Sequence, residues 1–159
     1  MTFFEEYLQL LRTQHVNVRR ALAGLPQEAI DWTSENIANP LGALAAHVAG
    51  SERYWMGDIV AGEPHERDRA GEFQTRGRGE TQLLYELAQV EDATRAVLGR
   101  LPADSLAETR SVRSGESVRT VTVGWVLLHV LEHTAYHAGQ MSYLRRTWLD
   151  RRKAERDAG

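Results

Sequence analysis

The chain has 159 residues, the size of one domain, with 42% hydrophobic and 26% charged residues and a formal net charge of −3. It contains no cysteine, which excludes disulfides, thiolate metal sites and a cysteine nucleophile together. The most basic stretch, residues 145–156, also carries Asp150 and Glu155, so no basic face for nucleic acid is expected. No apolar run approaches the roughly 20 residues of a membrane span. The opening MTFFEEYLQLL lacks the basic start of a secretory signal, so a cytoplasmic protein is expected.

Four segments carry helical periodicity. The first spans about 2–23. Thr2 and Glu5 form a capping-box pattern, Phe3, Tyr7, Leu10, Leu11, Val18 and Leu22 give the stripe, and Gly24-Leu25-Pro26 ends it. The second opens at Asn39-Pro40, read as N-cap and first helical residue, and runs to about Val60 through Leu41, Leu44, Val48, Ser51, Trp55 and Ile59. The third spans about 80–99 through Leu83, Leu87, Val90, Thr94 and Val97. The fourth starts near 120–122 and reaches about Leu149. The connection 62–79 is long, polar and glycine-rich, and a connection of that length is usually functional or mobile. Residues 111–120 alternate around Ser114-Gly115 and suggest a short hairpin. The expected architecture is all-α: a four-helix bundle over residues 1–150, with long connections between helices 2 and 3 and between 3 and 4, and a polar tail at 151–159.

The fourth helix contains LLHVLEHTAYHAGQ, with His129, His133 and His137. Its apolar seam reads Val126, Val130, His133, His137, Met141, Leu144, Trp148, in steps of three and four. Two imidazoles one turn apart in a bundle core repel if charged and need partners at both nitrogens if neutral. A divalent ion resolves this by taking one nitrogen from each ring and leaving the other N–H for a nearby acceptor. His129 and His137 are about 12 Å apart along the axis, too far to share one ion. The choice lies between the pairs 129/133 and 133/137, and the seam favours the second. His47 borders the stripe of the second helix among small residues and is the third ligand chosen. Gly139 reads as a point of close helix approach. His129 and His15 are candidates for the surroundings of the metal or for a pocket, and His65 reads as solvated. Tyr54, Tyr136 and Gln140 are possible pocket residues, Trp55 and Trp125 read as core, and Glu132 points away from His133.

Two blocks resemble the DinB/YfiT-like superfamily of four-helix bundles: LGALAAHVAGSERYW (41–55), with its histidine, acid and tryptophan, and HVLEHTAYHAGQMSYLRR (129–146), with its His-x-Gly-Gln ending. LPQEAIDW (25–32) also fits the family's first connection. The resemblance implies a divalent metal, zinc or nickel foremost, held by His47, His133 and His137. It also implies a homodimer and, for some members, an enzyme using a low-molecular-weight thiol. Three neutral ligands leave an ion its charge and an open position, as catalytic sites do. The functional expectation is therefore a metal-dependent thiol S-transferase or hydrolase acting on a small molecule, its catalytic residues unassigned by the sequence. The alternative is a non-catalytic metal-binding bundle, stress-associated or an interaction module.

Overall fold

The computed structural model describes residues 2–115 and 117–159. Helix α1 (Phe3–Leu22) starts at a complete capping box: the Thr2 hydroxyl accepts from the Glu5 N–H and the Glu5 carboxylate accepts from the Thr2 N–H. Gly24, with φ +67, turns the chain at its end. A short helix, α2 (Gln27–Asp31), follows Pro26. Helix α3 (Leu41–Arg53) begins one residue later than the sequence suggests: Pro40 holds the N-cap position, without a side-chain bond. Every residue from Leu41 to Ala49 is buried, because glycine and alanine at 42, 43, 45, 46 and 49 let neighbours close in on all sides. A Cβ at Gly42 would stand 3.2 Å from Ile30 of α2.

Past Arg53 the backbone widens into a π-helix over Tyr54–Ala61, closed by Gly62 with φ +69. The connection expected over 62–79 is partly helical: α4 (Arg69–Gln74) is capped by Asp68, whose carboxylate accepts from the Gly71 N–H. Helix α5 (Glu80–Leu98) leads through a 3₁₀ turn (Ser105–Ala107) to strands β1 (Thr109–Ser114) and β2 (Ser117–Thr122). These form an antiparallel hairpin in the register Thr109↔Thr122 to Ser114↔Ser117, and Glu116 at its turn lies outside the described residues. Helix α6 (Val123–Asp157), capped by Thr122, is continuous through the stretch read as a tail. The protein is a mostly α-helical bundle of α1, α3, α5 and α6, and no helix of the described residues is long and apolar enough to cross a membrane.

The core has two apolar clusters. One gathers Val18, Leu22, Leu44, Leu87, Met141 and Trp148; the other gathers Tyr7, Leu11, Met56, Val97, Leu127 and Val130. In sequence His15, Glu52, Thr94 and Thr134 fall between them on the four long helices, and all four are buried. His15 Nε2 lies 2.6 Å from Glu52 Oε2, and the Thr94 hydroxyl donates to Glu52 Oε1 at 2.7 Å. A polar layer thus crosses the middle of the bundle.

Gly139 does not mediate helix packing. It is exposed, and a Cβ there would meet nothing within 4 Å. Gly139→Ala should therefore raise stability by about 0.5–1 kcal/mol, the helix-propensity difference alone, as read by urea unfolding. Leu44→Ala, at a site 1% exposed, should lower it by about 2–5 kcal/mol in the same assay.

Candidate metal centre

Helix α3 delivers His47 and helix α6 delivers His133 and His137. One ligand-capable nitrogen of each lies within 4.8 Å of the others. His47 Nε2 and His133 Nε2 are 3.0 Å apart, and the rings of His133 and His137 meet edge to face at 4.5 Å between centres. Two nitrogens on one tetrahedral ion, each bonded at about 2.0–2.1 Å, stand about 3.4 Å apart. The His47–His133 spacing is close to that, and the ligand-capable nitrogen of His137 lies within 4.8 Å of both.

The opposite nitrogens show which atoms remain for a ligand role. His47 Nδ1–H donates to Glu72 Oε2 at 2.8 Å, so Nε2 faces His133. His137 Nδ1–H donates to the Gln140 carbonyl oxygen at 2.8 Å, and the Gln140 amide donates onward to Tyr136 Oη at 3.2 Å. An acceptor behind a ligating histidine fixes its tautomer and raises its basicity, the arrangement metal sites use. The donor set fits a divalent ion.

The electrostatics agree. Burial, then the neighbouring His137, His47 and His129 and the Arg67 guanidinium, hold the His133 pKa down to about 3. Burial also lowers His137, against the opposing bond to Gln140 and with help from His47. For Glu72, burial pushes upward, but hydrogen bonds from His47 and Arg67 outweigh it and keep the carboxyl below its ordinary range. A carboxylate therefore backs His47, and His133 offers a lone pair at neutral pH.

Side by side with the sequence expectation, the seam of α6 runs differently. Thr134 and Ala138 are the buried positions, while His133 and His137 are half-buried at its edge. The pair thus sits at the rim of the core rather than within it. His129 sits 5.7 Å from His133, stacked on Trp125 with planes 10° apart, and burial, opposed by Glu132 and aided by Arg119, lowers its pKa. Tyr54, on the π-helical segment, packs against Trp55 and under Arg67. His15 belongs to the polar layer, bonded to Glu52, with its other nitrogen 3.8 Å from Glu91. His65 is not simply solvated: it pairs with Asp58 of the π-helical segment and is half-buried. Glu132 is exposed. Trp125, read as core, is 38% exposed.

The residues that sequence reasoning missed all come from the long connection. Glu72 accepts from His47 and takes two bonds from Arg67, 2.7 Å from Nε and 2.9 Å from a terminal nitrogen. Phe73 covers His47 at 4.3 Å between ring centres. Close approach here depends on Gly50, where a Cβ would stand 2.2 Å from Glu72 Oε1. The only advance signal was the length of the connection.

The chain matches the mycothiol-S-transferase family over residues 6–148. No curated protein is similar enough to match. Among solved structures it is similar to a conserved protein from Enterococcus faecalis, with 15% identity, a TM-score of 0.73 and coverage of 92% of this chain and 96% of that one. It is also similar to a DinB-like protein from Bacillus cereus, with 17% identity, a TM-score of 0.70 and coverage of 90% and 91%.

Two outcomes test the centre. Gly50→Ala should push Glu72 off His47, and so weaken the binding of added zinc about tenfold, within the 10–100-fold effect of losing such a partner, as read by titration of the folded protein. In the metal-free protein, His133 binds its proton less readily folded than unfolded. Its contribution to stability is present above pH 6.5 and is lost as the pH falls from there toward 3. Stability followed against pH should fall less steeply over that window in His133→Phe than in the parent.

Proposed function

The chain belongs to the mycothiol S-transferase family, and we propose that it is a metal-dependent enzyme transferring a low-molecular-weight thiol, mycothiol or one of its type, to an electrophilic small molecule. The observation that carries this reading is the three-histidine cluster, whose ligand-capable nitrogens lie within 4.8 Å while acceptors hold the other nitrogens of His47 and His137. Among the described residues the cluster has three members, and a structural site would fill the fourth position with protein. Imidazole donors suit zinc and nickel. A divalent ion held there would lower the pKa of a thiol or water reaching its open position and supply the nucleophile at neutral pH.

The chain's own residues do the rest. Glu72, locked by Arg67, fixes the ring of His47, and Gln140, braced by Tyr136, fixes that of His137. His133 and His137 are half-buried at the edge of the α6 seam, the side from which a small molecule would approach. The absence of cysteine accords with a thiol that arrives as a cosubstrate.

The test is the metal content of the protein purified without a tag, beside a His133→Ala/His137→Ala variant. It is followed by thiol consumption with mycothiol and a reactive alkyl halide. About one ion per chain in the parent, none in the variant, and thiol consumption only by the metal-bearing protein are expected. A parent that stays metal-free after incubation with zinc, nickel, manganese and iron removes the reading.

A further inference from the structure

Beside the three histidines runs a row of aromatic side chains with an arginine at each end. Trp55, 8% exposed, is its floor. Tyr54 meets Trp55 at 5.2 Å between ring centres, Trp125 meets it at 5.6 Å and His129 at 4.9 Å. At one end the Arg67 guanidinium lies 5.3 Å from the Tyr54 ring centre. At the other, the guanidinium of Arg119, from strand β2, lies 4.7 Å from Trp125 and 5.8 Å from Trp55. The row touches the centre through His129, 5.7 Å from His133.

The two arginines differ. Arg67 spends two N–H groups on Glu72. Arg119 has no carboxylate within ion-pair distance among the described residues, and it is exposed. Arg119 lies over the Trp125 indole, and a guanidinium fork binds a carboxylate through two parallel bonds. An exposed indole beside an uncommitted fork matches a ligand with a flat apolar body and an anionic end.

We infer that the electrophilic substrate is a planar organic molecule bearing a carboxylate, held at that carboxylate by Arg119 and along its body by Trp125, an inference that rests on the transferase reading above. In the transfer, the thiol sulfur bonds to the electrophilic carbon as that carbon's bond to its leaving group breaks. The leaving group departs with the bonding pair, and the thiol proton passes to solvent. Arg119 is thus a specificity-determining residue, placed by the hairpin and separate from the metal ligands.

Benzoate and benzamide, unreactive and nearly equal in shape, test the site without turnover. Each is titrated into the metal-bearing protein while the Trp125 indole N–H is followed by NMR. Benzoate should bind the parent more tightly than benzamide. Arg119→Gln should weaken benzoate about tenfold, the worth of one charge-assisted bond, and leave benzamide unchanged, while Arg119→Lys restores part of the preference. Equal affinity for the two ligands in the parent, or equal loss of both in Arg119→Gln, would overturn the inference. Transfer is then read with para-chloromethylbenzoate and para-chloromethylbenzamide in the presence of mycothiol, where a KM advantage for the carboxylate that vanishes in Arg119→Gln supports it. Selective benzoate binding with no transfer to either halide would overturn the transferase reading and leave the anion site standing.

Discussion

His47 has a partner at each ring nitrogen, and each contact joins elements far apart in the chain. Through Nδ1 it reaches Glu72, 25 residues on; through Nε2 it reaches His133, 86 residues on. A ring held at two opposite atoms and covered by Phe73 has little freedom left. The stretch of α3 around His47 supplies the third restraint, since every residue from Leu41 to Ala49 is buried. The centre therefore depends on a small-residue helix deep in the bundle more than on the HxxxH pair, which sits on an accessible edge.

The pattern of small residues explains why α3 takes this place. Gly42 accommodates Ile30 and Gly50 accommodates Glu72, so α2 and α4 press on the same helix at different heights. A bulkier helix would keep its neighbours at ordinary distance and leave Glu72 out of reach. Packing at Gly50 and the electrostatics of the centre are one constraint: the carboxylate that keeps His47 in its tautomer is the group that fills the space of the missing side chain.

The bundle and its three histidines are legible in the sequence because they rest on periodicity. The capping box at Thr2 and Glu5, the stripe of α5 and the HxxxH pair are local patterns with a physical meaning of their own. The rest depends on tertiary contact. Glu72 and Arg67 sit in a polar connection whose composition reads as solvated loop, and only the folded chain brings them to His47. The seam of α6 differs from its apolar spacing because Thr134 and Ala138 are small enough to take the inward places and leave His133 and His137 at the edge. The stripe through Trp55 and Ile59 reads as continuing α-helix, and nothing in it marks the widening into a π-helix over Tyr54–Ala61, which carries Tyr54 and Trp55, two members of the aromatic row. Gly139 followed a rule about mid-helix glycine that packing here does not use.

The polar layer of His15, Glu52 and Thr94 bears on how the helices could slip past one another. Two apolar clusters alone tolerate a shift of one helix by a turn, about 5.4 Å, because leucine on leucine is much the same contact one turn along. A carboxylate and an imidazole with no exposure to water do not tolerate it, since each would be stranded without a partner. Among the stacked arrangements open to four amphipathic helices, the layer singles out one in which α1, α3 and α5 are level. The height of His47 relative to α1 and α5 is then set by bonds made elsewhere on its own helix, five residues further along.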